Sequence, residues 1–136
     1  LLHRIFDTDW AEFSHHEDVD LICYSPLAAG LLSGKYRDGS VPAGSRMSIN
    51  ANLTGRYQER SKPALEAYFQ VADRHGLDPS QMALAFCLSR PFMTSVIIGA
   101  TSMDQLKTNI ASIDLELSDD VLADIQAVYK QHPLPM

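Results

Sequence analysis

The sequence predicts an α/β fold in which parallel strands are joined by helical crossovers, and it predicts that the chain holds only part of the sheet. Three observations lead there. Two runs with strand character, Val19 to Tyr24 and Thr94 to Ile98, are separated by two helical patterns and flanked by others, the alternation expected of parallel α/β units. The second run, TSVII, is rich in β-branched residues, as expected of a strand covered on both faces. Two strands cannot make a stable sheet of that kind alone, so the pair is expected to complete a larger parallel sheet or barrel.

Asp9 to about His16 has a helical pattern with Trp10 and Phe13 on one side, and it leads into the first strand. That strand must end at Ser25-Pro26, because Pro26 cannot donate to a sheet ladder. From Leu27 to about Ser61, Gly34, Gly39, Pro42, Gly44, Asn50, Asn52 and Gly55 mark turns rather than regular structure. A loop of that length is usually functional or disordered. Pro63 suits the first turn of a helix whose Leu65, Tyr68, Val71 and Ala72 share a face, and Gly76 stops it. Asp78-Pro79-Ser80-Gln81 then offers an N-cap, a proline at the first helical position and a glutamine three residues after the cap. The body of this helix, MALAFCL, is apolar nearly all round and should be buried.

After the second strand, Ser102 and Gln105 repeat the capping pattern and open a helix to about Ser112. Its Leu106 and Ile110, with Ile113 beyond, are expected to form a core stripe, while Ser102, Gln105 and Asn109 share a different, uncharged polar face. A last helix starts at Ser118, with Asp119 and Asp120 at its positive end and Val121, Leu122, Ile125 and Val128 facing inward. The tail HPLPM stops it.

The 136 residues suffice for one ordinary domain, and 46% are hydrophobic, so a sizeable core is available. The opening LLHRIF has neither an initiator methionine nor a secretion signal, and the expectation is a piece of a longer protein. No apolar run approaches the length of a membrane span. The net charge of −6 argues against nucleic acid or an anionic membrane as a partner. Residues 33–62 depart from that balance: six basic residues face two acidic ones, a local +4 that leaves −10 elsewhere. Such a segment suits a small anion, and equally a solvated polar loop. Cys23 and Cys87 lie far apart without a C-x-x-C partner, which reads as reduced thiols and a cytoplasmic setting. The five histidines show no metal-ligand spacing.

In parallel α/β folds ligands gather beyond the carboxyl ends of the strands, and both strand exits here carry anion-binding chemistry. After the first, Ser25 and Ser33 offer hydroxyls, Leu27 and Gly30 backbone N–H groups and Lys35 a charge, which together suit a diphosphate. After the second, Gly99 permits close approach, and the helix start at Thr101-Ser102 is expected to present unpaired N–H groups to a phosphate. Arg46 can clamp an anion in bidentate fashion. Gln105 and Asn109 carry the paired donor and acceptor groups that read a purine edge, and Tyr24 offers a flat ring for a nicotinamide. Taken singly, each has an ordinary explanation: a strand-end tyrosine packs, a serine caps, a helical glutamine meets water. Neither a G-x-G-x-x-G nor a G-x-x-x-x-G-K-[ST] motif is present.

YSPLAAGLLSGKY resembles the segment after the seventh barrel strand of the aldo-keto reductases, and SVIIGATSMDQLKTNI resembles their eighth strand with its adenosine-binding helix. VPAGSR, HGLDPSQMALAFCLSR and LELSDDVLADI fit as well, most closely in the branch of Tas-type reductases and potassium-channel β-subunits. The resemblance implies that residues 1–136, including the long loop 27–61, form the C-terminal portion of one (β/α)8 TIM barrel, about its last two strands with their helices, incomplete as a barrel. It further implies NADP(H)-dependent reduction of small carbonyl compounds. By that likeness Tyr24 stacks on the nicotinamide, and Ser25, Leu27, Ser33 and Lys35 hold the diphosphate. Arg46, Thr101, Gln105 and Asn109 hold the phosphorylated ribose and adenine, and Pro26, Gly30 and Gly99 complete the expected cofactor-binding set. Thr108 departs from the pattern, standing where relatives often carry glutamate. The family's catalytic Asp, Tyr, Lys and His match no residue here, so the chain alone is expected to be inactive. A nucleotide-binding regulatory subunit is the rival expectation, and an α/β interaction domain without nucleotide a third.

Overall fold

The computed structural model describes residues 1–136. Helix α1 (Asp9–Glu17) precedes strand β1 (Leu21–Tyr24), and after a long segment come α2 (Arg46–Ile49), α3 (Ser61–His75) and α4 (Pro79–Leu88). Strand β2 (Met93–Ile97), α5 (Met103–Ala111) and α6 (Asp119–Gln131) complete the chain. The two strands are adjacent and parallel, pairing Ile22 with Ser95, Cys23 with Val96 and Tyr24 with Ile97. Both therefore end at the same edge. The strands are shorter or shifted relative to expectation, and the α/β, parallel, two-stranded character stands.

Local signals act where they were expected. The Asp78 carboxylate accepts the Gln81 N–H at 2.9 Å, Ser102 Oγ accepts that of Gln105 at 3.3 Å, and Ser118 Oγ accepts that of Val121 at 3.4 Å. Each of these helices thus begins on a side-chain cap. Leu65, Tyr68, Val71 and Ala72 of α3 are buried and pack with Val121, Ile125 and Val128 of α6 in one core, which also takes Met82, Ala83 and Phe86 from α4. Burying such side chains is worth about 1.5–3 kcal/mol each, so this core holds the helices in place.

Three expectations fail. The strands are not covered on both faces: Ile22 is 57% exposed, Tyr24 75% and Ile97 55%, because the chain's helices cover only one side of the pair. The stripe on α5 does not enter the core either; Ile110 and Ile113 are exposed, and the buried residue of α5 is Asn109. That helix lies against α4, and Gln81 Nε2 donates to the Thr108 carbonyl between them at 3.2 Å. Third, the segment after β1 is not all turns, since it contains a 3-10 stretch (Ala28–Ser33) and the short α2. Leu31, Leu32, Met47 and Leu53 tie this segment into the core.

The two cysteines, distant in sequence, meet between sheet and helix because α4 packs on the strand beside β1. Both thiols are free. The neighbouring Cys87 thiol and partial burial push the Cys23 thiol above its ordinary range, while the neighbouring Cys23 draws the Cys87 thiol below its own. No helix is long and apolar enough to cross a membrane.

Candidate functional site

Beyond the shared strand edge lies one open groove of about 710 Å³, lined by both strand exits and by the approach to α2. From the first exit come Ser25, Pro26, Leu27, Gly30, Ser33 and Lys35. The second contributes Gly99, Thr101, Gln105 and Asn109, and Arg46 closes a side. Eleven of the twelve residues singled out in the sequence therefore meet in one place. Tyr24 is the exception, standing on the open face of β1 just before the exit.

The first exit folds as it does because its backbone turns left-handed. Ser25 has φ +54°, Ala28 +49°, Ala29 +60° and Gly30 +93°. L-residues adopt such angles at a cost of about 1–2 kcal/mol each, so something must hold them. Burial of Ala28, Leu31 and Leu32 does so, together with hydrogen bonds from the Ala28 N–H to the Ser25 carbonyl and from the Ala29 N–H to Ser25 Oγ. Ser25 keeps its hydroxyl proton free. Ser33 does not, since its hydroxyl donates to the Gly30 carbonyl at 2.8 Å. The Gly30 N–H is also committed, to the Leu27 carbonyl at 2.9 Å, so its expected role as an anion donor fails. Gly30 instead provides space. A Cβ there would lie 2.8 Å from Lys35 Cε and 2.9 Å from Lys35 Nζ, so the lysine chain occupies the place a side chain would take.

At the second exit the expected free N–H of Thr101 is taken: it donates to Gln105 Oε1 at 3.0 Å, as does the Thr101 hydroxyl at 3.1 Å. Gln105, four residues on, folds back over its own helix start. Asn109 is buried and donates from Nδ2 to the Gly99 carbonyl at 3.3 Å, which fixes the turn out of β2.

Two cations line the groove. Neither Lys35 nor Arg46 forms an ion pair, a state they share with Arg56, Arg60, Arg90, Lys107 and Lys130, so what sets them apart is their place in one groove. Two acidic residues also line it, Asp78 and Asp104. Asp78 is spent on capping α4, and Asp104 lies in the first turn of α5. Asp104 and Ser45 line the groove without a motif to mark them, their signal in the sequence being adjacency alone: Ser45 precedes Arg46 and Asp104 precedes Gln105. A groove with two unpaired cations, a free serine hydroxyl and a glycine crossed by a lysine fits a phosphate-bearing ligand.

The aldo/keto reductase family model matches residues 1–130. The chain belongs to that family. It is 50% identical over 135 residues to protein tas of Escherichia coli (strain K12), a match covering 99% of this chain and 39% of that protein. It is 32% identical over 136 residues to a probable voltage-gated potassium channel subunit beta of Arabidopsis thaliana, covering 96% of this chain and 41% of the relative. The solved glycerol dehydrogenase AKR11B4 from Gluconobacter oxydans superposes with a TM-score of 0.70 at 19% identity, over 97% of this chain and 40% of that one. The chain thus spans about two fifths of the length of these relatives, and its two parallel strands form an incomplete barrel.

Proposed function

We propose that this chain is the cofactor-binding part of an NADP(H)-dependent oxidoreductase that reduces small aldehydes and ketones in the cytoplasm. The observation that carries the reading is the meeting of both strand exits in one groove with two unpaired cations. The first exit holds the diphosphate through the Ser25 hydroxyl, the Leu27 backbone and the Lys35 ammonium, with Pro26 and Ser33 shaping the turn and Gly30 leaving the lysine room. Arg46 takes the phosphate on the ribose. Thr101 and Gln105 face the adenosine end, and Asn109 with Gly99 keeps that wall in place. Tyr24 is the surface for the nicotinamide, which when bound supplies hydride to the carbonyl carbon. The proton donor comes from outside these residues, in the remainder of one barrel domain, so residues 1–136 alone bind and orient but do not turn over substrate.

Titration of the complete barrel protein with NADPH, followed by fluorescence, tests this. Losing a charge-assisted phosphate contact costs about 1.5–3 kcal/mol, so Lys35→Ala and Arg46→Ala should each weaken binding roughly 10- to 150-fold. Parental affinity in both variants refutes the assignment. The likeness to a probable channel subunit favours a second reading, a nucleotide-binding regulatory subunit. Steady-state turnover across a panel of aldehydes separates the two, since a regulatory subunit binds NADPH with little turnover.

A further inference from the structure

We propose that Tyr36, which lines neither the groove nor any reacting group, is a positioning residue that holds Arg46 at the groove through its hydroxyl. The inference rests on the reading above that Arg46 meets a phosphate.

Tyr36 follows Lys35 directly, and its ring is buried in the core. Its phenol oxygen accepts the N–H of Met47, the residue after Arg46, at 3.3 Å. Every other hydrogen bond made by residues 41–49 stays within residues 41–50, and the Arg46 side chain makes none. One phenol is therefore the only polar tether between the Arg46 segment and the rest of the fold. Met47 adds an apolar anchor, being buried in the same core. Ser45 Oγ is also buried, has no well-aligned partner and lies beside the same phenol. Burial pushes the Tyr36 phenol upward, but Ser45, the Met47 N–H and the Lys35 charge outweigh it and leave the phenol below its ordinary value, as donors and a cation around the oxygen should. On the other side, Lys35 Nζ stands 5.1 Å from the centre of the Tyr36 ring. The two groove cations thus flank one tyrosine, Lys35 over its ring and Arg46 through its oxygen.

Tyr36→Phe keeps the ring, the core packing and the contact with Lys35, and removes only the tether. In the complete barrel protein two measurements are made. Without cofactor, trypsin should cut after Arg46 several-fold faster in Tyr36→Phe, with the melting temperature lowered by no more than a few degrees. Titrated with 2′,5′-ADP and with NADPH, Tyr36→Phe should bind about fivefold more weakly, the loss expected of one hydrogen bond. In the Arg46→Ala background the same substitution should cost nothing further. Unchanged cleavage after Arg46 overturns the tether whatever the ligand does. A loss in Tyr36→Phe that multiplies with that of Arg46→Ala overturns it too, since the tyrosine would then act elsewhere. Faster cleavage combined with parental NADPH affinity in Arg46→Ala overturns the assigned role for another reason: the tether exists, but the arginine it holds meets no phosphate.

Discussion

Gly30→Ala separates two effects that usually travel together. A Cβ at Gly30 would fall within 3 Å of the last two heavy atoms of Lys35, and the backbone there has φ +93°. Because the obstructing atoms are the end of a flexible chain, the clash is relieved by moving Lys35, not by opening the fold. The steric effect therefore appears in binding, where displacing the ammonium should cost about 1.5–3 kcal/mol, a 10- to 150-fold rise in the dissociation constant for NADPH. The left-handed backbone appears in stability instead, at about 1–2 kcal/mol, which lowers the melting temperature of the complete barrel protein by roughly 1–3 °C. Fluorescence titration and calorimetry on the complete barrel protein read the two separately. The double variant with Lys35→Ala should bind no more weakly than Lys35→Ala alone, since the lysine contact can be lost only once. Parental affinity in Gly30→Ala, or losses that multiply in the double variant, refutes the argument.

Two further outcomes follow from features away from the groove. Asp124 on α6 accepts from His75 Nε2 at 2.9 Å and from Arg74 Nη1 at 2.6 Å, and these bonds hold its carboxyl below the ordinary value. A carboxyl depressed in the folded state stabilises above its unfolded pKa and loses that contribution as pH falls through the folded one. Asp124→Asn should therefore lower the melting temperature at neutral pH, with the deficit shrinking as pH falls below the ordinary carboxylate range, and a deficit that stays constant as the pH is lowered refutes the linkage. Residues 1–136 expressed alone leave Ile22, Tyr24 and Ile97 on an open sheet face, with Trp10 and Phe13 exposed on α1. They should bind a hydrophobic dye and self-associate, whereas a monomer that melts cooperatively without dye binding would mark an independent domain.

What could be read from the sequence divides by the range of the interaction. The caps at Asp78, Ser102 and Ser118 involve partners three residues away, and all form as expected. The amphipathic faces of α3 and α6 were also legible, because those helices pack on each other within this chain. The strand faces and α5 were not. TSVII has the composition of a covered strand, and Ile110 with Ile113 has that of a core stripe, but burial depends on what lies opposite, which periodicity does not reveal. Asn109 shows the converse: a polar side chain takes the buried place on α5 because its amide can hold the Gly99 carbonyl. The groove was legible in location, since parallel neighbours exit at one edge. Its hydrogen bonding was not, because the fourfold spacing of Thr101 and Gln105 suits a helix face and a closed bond equally well.

The two exits are made ready for a ligand by different means, and the difference matters for what binding must change. At the first, apolar anchors do the fixing: Leu31 and Leu32 are buried beneath the turn, so Lys35 and the Ser25 hydroxyl are available without moving any protein group aside. At the second, side-chain bonds do it, and Gln105 Oε1 already holds both donors of Thr101. A phosphate arriving at Thr101 must replace bonds of similar strength, and the net gain there is small, because exchanging one acceptor for another yields only the extra strength of a charged one. Under the proposed function, affinity for the dinucleotide should then be concentrated at the first exit and at Arg46, where the cations form no ion pair within the chain. Under that proposed function the second exit would supply chiefly the shape of the adenosine end, which makes Gln105 a poorer source of binding energy than its place on the helix face suggests.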